Sequence, residues 1–286
     1  MNEASQAAFV NAIHNAIQNN SAFLARQEIE KLKESHRSDP DRLEQYGYKV
    51  YSQADEDGIL AEIFKRLGIE QGTFAEIGVE NGLECNTLFL IHKGWRGIWL
   101  EGNPAQLGPI QSTFSSILEN KRLGATIGYV TPDNINQNIQ FMCSHINMKI
   151  NDIDFLSIDV DGMDIYLFEA QQFNPKVICI EYNAKFPPPV FKKPVFDENY
   201  SWGHNDYMGS SLVAIVESAA LKGYSLVGTN LLGSNAFFVR DDLVGDLFSR
   251  NRTAENLYNP PRYYLLNHYL SGVGHSASFG PYTDLT

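Results

Sequence analysis

The sequence predicts an α/β protein: a mostly parallel sheet with helices on both faces, ending in an antiparallel hairpin and preceded by a helical extension. Three observations carry this. Short apolar stretches alternate with helical ones from residue 73 to residue 182. The apolar stretches run almost unbroken, as in Gly97-Ile98-Trp99-Leu100 and Val177-Ile178-Cys179-Ile180, the pattern of strands buried on both faces. Two further strand-like stretches, 224–230 and 235–242, are split only by Leu231-Leu232-Gly233-Ser234, which reads as a hairpin.

With 286 residues, 43% hydrophobic and 12% aromatic, the chain can bury a full core, and one large domain with additions fits better than two equal ones. A formal net charge of −12 disfavours nucleic acid and anionic membranes as partners. Cys85, Cys143 and Cys179 are odd in number and far apart, so a disulfide framework is not expected and a reducing compartment is. No stretch approaches the roughly 20 apolar residues of a membrane span, and the first residues lack a basic start followed by an apolar block. The expected location is the cytoplasm.

Residues 1–48 form the predicted N-terminal extension. Phe9, Ile13, Ile17, Phe23, Leu24, Ile29 and Leu32 recur at helical spacing, giving one or two amphipathic helices that offer a surface for homodimerisation. Residues 36–48, charged and carrying Pro40, read as a linker or lid, or else as part of a helical arm packed on the core or on a second subunit. Residues 49–243 form the main domain. In it Ser52 is the expected N-cap of a helix whose apolar face is Ile59, Leu60, Ile63, Phe64 and Leu67, with Gly68 as its stop. Strands are then expected at 73–79, 96–101, 125–130, 154–160 and 176–182, and helices at 84–93, 104–120, 134–149 and 163–172. Residues 183–208 break the alternation. With four prolines, Pro187, Pro188, Pro189 and Pro194, and six aromatics, they are expected to cover a site. A helix at 210–222 leads to the hairpin, and residues 244–286 form a C-terminal extension without a sharp signal.

Ligands of open α/β sheets sit at the carboxyl ends of the strands, and here those ends are polar. The first supplies Glu76, Gly78 and Gly82 in an E-x-G-x-x-x-G turn, which would let a ligand approach the backbone closely. Glu101 ends the second strand, 25 residues after Glu76, and is placed to accept hydrogen bonds from both hydroxyls of a ribose.

On these residues a resemblance rests. The segments EIGVENG, GIWLEGNP, DFLSIDVDGMDIYLFE and VICIEYN, with YSQADEDGIL before them and GSSLVAIVESAALKGYSLVG and NAFFVR after them, resemble the FkbM-type S-adenosylmethionine-dependent methyltransferases, which methylate hydroxyl groups. The resemblance spans about residues 51–242. It implies a Rossmann-like seven-stranded sheet with the last strand antiparallel. It also implies Gly78, Gly82 and Glu101 around S-adenosyl-L-methionine, and Glu76 supporting the amino acid portion. Ser52 and Gln53 either reach the cofactor or serve as a helix cap, and Thr131, Pro132 and Asp133 are the residues expected beside the adenine.

Asp159 and Asp161 are two apart and point to one side of a strand end, where Glu181 and Asn183 of the next strand join them. These are hard oxygen ligands, suited to Mg²⁺, Mn²⁺ or Ca²⁺. In position and type they resemble the sites of metal-dependent O-methyltransferases. Alternatively the two aspartates orient the methionine amine, with Asp159 then a cofactor residue, or cap the next helix.

His204, in the covering segment, is the expected general base or a metal ligand, or else a loop histidine bonded to backbone. Asp161, Asp206 and Lys185 are rival bases. Phe186, Phe191, Phe196, Tyr200, Trp202 and Tyr207 either stack on a sugar or base or pin the segment down. Lys185, Lys192 and Lys193 either bind a phosphate of the acceptor or are a solvated charge run.

The function expected is O-methylation of a sugar or nucleotide-linked sugar hydroxyl, such as that of a polysaccharide precursor, with optional help from a divalent metal. Two readings compete. Asp159-Val160-Asp161 is also a D-x-D of the kind glycosyltransferases use for a metal and nucleotide sugar, and a chain with the same nucleoside site could bind without catalysing.

Overall fold

The structure is a computed structural model and describes residues 3–265 and residue 279. Seven strands form one sheet: β1 (Thr73–Ile77), β2 (Arg96–Glu101), β3 (Leu123–Ile127), β4 (Phe155–Ile158), β5 (Val177–Glu181), β6 (Tyr224–Thr229) and β7 (Asn235–Arg240). Their spatial order is β3-β2-β1-β4-β5-β7-β6, with β1 to β5 parallel and β7 antiparallel to both neighbours. This is the Rossmann-like sheet the sequence predicts. The order reverses between β1 and β4, so a crevice opens outside their carboxyl ends.

The unbroken apolar runs have the expected cause, since the sheet is buried on both faces. On one side Ala75, Ile77, Ile98 and Leu100 pack with α6 (Ile135–His145), α7 (Asp164–Ala170) and α8 (Leu212–Leu221). On the other, Phe74, Trp99, Phe155 and Phe237 meet α2 (Glu56–Arg66), α3 (Leu88–His92), α4 (Leu107–Thr113) and α5 (Ser115–Glu119).

Several boundaries differ from expectation, each for a local reason. β1, β3 and β4 stop two or three residues early, because the residues after them turn out of the sheet to line the crevice, while β2 ends at Glu101 as expected. The helix expected from residue 84 begins at Leu88, since the Asn86 and Thr87 amides donate instead to the Glu76 carboxylate. The helix expected over 104–120 is broken. Phe114 leaves helical geometry with its ring buried edge-on against Trp99, at 4.9 Å between centroids. Residues 36–48 are neither a solvated linker nor a lid: Leu43 and Glu44 are fully buried, and Arg42 pairs with Glu44 beneath them.

The N-terminal extension is one helix, α1 (Glu3–His36). Only its end packs on the domain, where Ala25 and Ile29 meet Ala54, Leu231, Leu232 and Leu265. The chain past β7 forms two short helices, α9 (Asp241–Val244) and α10 (Ala254–Leu257). The rest of the expected C-terminal extension, apart from residue 279, lies outside the described residues beyond Leu265.

Asp55 lies wholly buried beside this junction. Its Oδ2 accepts from the Leu231 amide at 3.3 Å while Oδ1 has no partner. Burial, reinforced by the neighbouring Glu56, pushes its carboxyl up to about 8. A raised folded-state value means the folded chain holds this proton while the unfolded chain releases it, so stability is lost as pH rises from about 4 towards about 8. In thermal melts, Tm of the wild type is expected to fall between pH 5 and pH 8, and Asp55→Asn to reduce that fall by at least about 2 °C. Parallel melting curves for the two proteins would contradict this.

Candidate active site

Glycine at 78 is required twice over. Its φ is +82°, and a Cβ there would collide with the Asp159 carbonyl oxygen, so β1 and β4 can approach this closely only without a side chain. The turn that follows is held by Glu101. Its Oε2 accepts from the amides of Val79 at 3.0 Å and Glu80 at 2.8 Å, and Oε1 from Asn103 at 2.7 Å. Beneath the turn, Trp99 Nε1 donates to Thr87 Oγ1, which donates to Glu76 Oε2 at 2.5 Å. The Glu76 carboxylate is thereby immobilised, and burial raises its pKa against those hydrogen bonds.

The cleft above has a volume of about 590 Å³, within the range of small-molecule sites. Of the residues singled out in the sequence, Gln53, Glu76, Gly78, Glu101, Thr131, Pro132, Asp159 and Asp161 line it, as do Phe196, Tyr200 and Trp202 of the covering segment. That segment is strapped down: Tyr129 Oη donates to the Tyr200 carbonyl and Tyr166 Oη to the Pro194 carbonyl, each at 2.7 Å.

Other expected residues fall elsewhere. Ser52 is fully buried and does not reach the cleft. Its Oγ accepts from the Asp57 amide while Asp57 Oδ2 accepts from the amides of residues 50 to 52, so it is a structural residue, but the N-cap of α2 is Asp55 rather than the expected Ser52. Gly82 is absent from the cleft wall. A Cβ there would strike Trp99 and Phe114, so its role is close packing. Asp133 is not in the wall either. Asn183 turns away from the carboxylates, donating Nδ2 to the Asp206 carbonyl and accepting the Lys185 amide. His204 is exposed outside the cleft, its ring 4.7 Å from Trp202; burial raises the Asp161 carboxyl's pKa, and the charge of His204 partly opposes that rise. Two of the rival bases neutralise each other, Lys185 pairing with Asp206. Lys193 pairs with Glu169, so the lysines build no phosphate site at the cleft.

Asp159, Asp161 and Glu181 do converge, each offering an oxygen within 4.8 Å of the others. The loop bearing the first two is shaped by Asp164, whose carboxylate accepts from the Val160 and Gly162 amides, both at 2.8 Å, and holds Asp161 at φ +57°. Helix capping, one of the roles weighed for Asp159 and Asp161, falls to neither, since the N-cap of α7 is Met163 and no side chain caps it. Glu181 is 8% exposed and its Oε2 has no partner. Burial and then the surrounding carboxylates push Asp159 and Glu181 well above the ordinary range.

Asn235 was not anticipated. It pairs in register with Glu181 across the antiparallel strands, and its amide donates to Glu56 Oε1 at 3.0 Å, which leaves a buried Oδ1 without a partner at the cleft. The only signal in the sequence is its place at the start of a strand whose pairing is set in three dimensions.

No family model matches the chain, and no curated protein matches it. Solved structures do. A candidate caffeoyl-CoA O-methyltransferase from Staphylococcus aureus is 13% identical, with TM-score 0.45 over 77% of this chain and 99% of that one. An O-methyltransferase from Bacillus cereus, in complex with SAH, is 16% identical, with TM-score 0.39 over 75% and 88%. A candidate sarcosine dimethylglycine methyltransferase from Galdieria sulphuraria is 16% identical with TM-score 0.34, and the chain spans 46% of its length. The fold class stands on the strand order and the antiparallel β7, not on these overlaps.

Two outcomes are expected from substitutions here. Gly78→Ala should give insoluble or unfolded protein by circular dichroism, since the collision is with backbone; a soluble variant with the wild-type melt would contradict it. Glu181→Gln should lessen the fall in Tm of the metal-free protein as pH rises, because the raised pKa of this buried carboxyl makes its ionisation costly to the fold. The same fall in both proteins would count against that account of Glu181.

Proposed function

We propose that the chain is an S-adenosylmethionine-dependent O-methyltransferase of the FkbM type, acting on a hydroxyl of a sugar or similar polyol. The observation that carries this reading is that one cleft joins a glycine turn clamped by Glu101 to two carboxylates of its wall, Asp159 and Asp161, on which the buried Glu181 converges. Glu101 Oε1 accepts a single amide, so it keeps capacity for a ribose hydroxyl. Glu76 stands under the amino acid portion, and Thr131 and Pro132 stand beside the base. S-adenosylmethionine supplies an electrophilic methyl group on a sulfonium, and its positive charge suits an acid-lined cleft.

The same lining bears on the acceptor. Eight wall residues are acids, Glu76, Glu80, Glu84, Glu101, Asp159, Asp161, Asp197 and Glu198, and none is Lys, Arg or His. A diphosphate would be repelled, which favours an uncharged polyol over the nucleotide-linked form and weighs equally against the glycosyltransferase reading. The walls Tyr129, Phe196, Tyr200 and Trp202 offer flat faces against which a sugar ring packs.

A divalent cation fits the residues present, because the donors are hard oxygens and Glu181 Oε2 is buried without a partner. Asp159, Asp161 and Glu181 would hold it, and it would supply a lower pKa for the acceptor hydroxyl. The proton leaving that hydroxyl passes to Asp161, which lines the cleft, with the exposed His204 acting on that carboxyl from outside the wall. Three buried, unpaired thiols suit a reducing cytoplasm, and among the described residues no helix is long and apolar enough to cross a membrane.

Calorimetry with S-adenosylhomocysteine tests the reading, and no heat at millimolar ligand would sink it. Asp161→Asn is expected to bind S-adenosylhomocysteine within about threefold of wild type and to lose at least about 100-fold in methyl transfer to a panel of free sugars. Transfer to UDP-sugars in preference to free sugars would overturn the acceptor class. For the metal, Mn²⁺ should raise the wild-type Tm and leave Glu181→Gln unmoved; equal shifts would remove the site.

A further inference from the structure

We propose that the projecting part of α1 is a self-association arm, which pairs with the same segment of a second copy of this chain. The helix is rooted at its carboxyl end. There Ala25 and Ile29 are buried, Tyr264 Oη donates to Glu28, and Lys33 Nζ donates to the Gly47 carbonyl. From Asn20 back to Glu3 it stands away from the domain for about 27 Å at the usual rise per residue, with Ser21 and Ala22 half-buried at its root. Its large apolar side chains are exposed among the described residues: Phe9 at 58%, Val10 at 57%, Ile13 at 44%, Ile17 at 60%, Phe23 at 59% and Leu24 at 55%.

Their spacing is that of a paired helix. Val10, Ile17 and Leu24 recur every seven residues, and Ile13 and Asn20 fall between them at the alternate three-four step. Phe9, Ala16 and Phe23 flank the seam on one side and widen it. β-Branched Val10 and Ile17 at the first position of the repeat suit a paired helix, and Asn20 places one polar residue within the seam. A helix standing alone in water gains little from propensity, so this stripe requires a surface to cover it.

Charge selects the occupant. The chain carries −12, and two copies would repel across most surfaces. Residues 4–25 contain no Asp, Glu, Lys or Arg, so along this arm alone two copies meet without a cost in like charge. A lipid surface is the poorer match, because a helix lying on an anionic bilayer presents Lys and Arg on its polar face, and this one presents Asn, Gln and Ser. About eight seam residues from each copy fall below the 20 to 30 of a standard interface, which sets the expected dissociation constant in the micromolar range.

Sedimentation velocity of the full chain between about 1 and 100 μM tests this. The wild type is expected to pass from monomer to dimer over that range. Ile13→Glu with Ile17→Glu should stay monomeric, with Tm and affinity for S-adenosylhomocysteine unchanged, since neither residue touches the core. Asn20→Leu should tighten the dimer by at least about tenfold, because it removes the polar residue from the seam. A wild type that is monomeric throughout, a double variant as dimeric as wild type, or an Asn20→Leu protein with no gain would each overturn the proposal. So would flotation of the wild type with phosphatidylcholine vesicles that the double variant abolishes, which would assign the stripe to lipid.

Discussion

The close approach of β1 to β4 at Gly78 is the constraint on which the rest of the site depends. Parallel neighbours normally diverge after their last ladder hydrogen bond, and side chains fill the gap. Here the Asp159 carbonyl occupies the space where a Cβ would stand, so the turn after β1 and the loop after β4 are pressed together at the switch point of the sheet. That proximity puts Glu101, which clamps the first turn, and Asp161, which Asp164 holds in a left-handed conformation, on facing walls of one cleft. The glycine thus matters more to the fold than to direct contact with a ligand.

The carboxylates gathered at this edge are destabilising on their own. Glu76 is satisfied by two amides and a hydroxyl, and Glu101 by three amides, but Asp159 and Glu181 face one another with little to offset them. A protein tolerates such an arrangement where the ligand completes it. Positive charge is what the cleft is built to receive, whether from a sulfonium, an ammonium or a divalent ion, and this is a firmer statement about the site than any single residue's role.

Much of this was legible in the chain. Unbroken apolar runs revealed a sheet buried on both faces, and the turn at residues 76 to 82 and the acids at 101, 159, 161 and 181 marked its carboxyl edge. Less legible were residues whose partners are remote in sequence. Ser52 and Gly82 have the right types for a binding turn, but Asp57 and the rings of Trp99 and Phe114 claim them. Asn183 looked like a metal ligand until the covering segment took its amide.

The sequence by itself determined the sheet, its mostly parallel sense and the carboxylates at its edge, because hydrophobic periodicity and strand-end position are local properties. Only the tertiary structure decided which of those polar groups remain available to a ligand. A carboxylate or amide becomes a structural fixture or a binding group according to whether a backbone amide from elsewhere in the chain reaches it first. That competition is settled by packing: it consumed Asn183, left Asn235 at the cleft and Glu181 beneath it with unpartnered oxygens, and left the apolar stripe of α1 exposed.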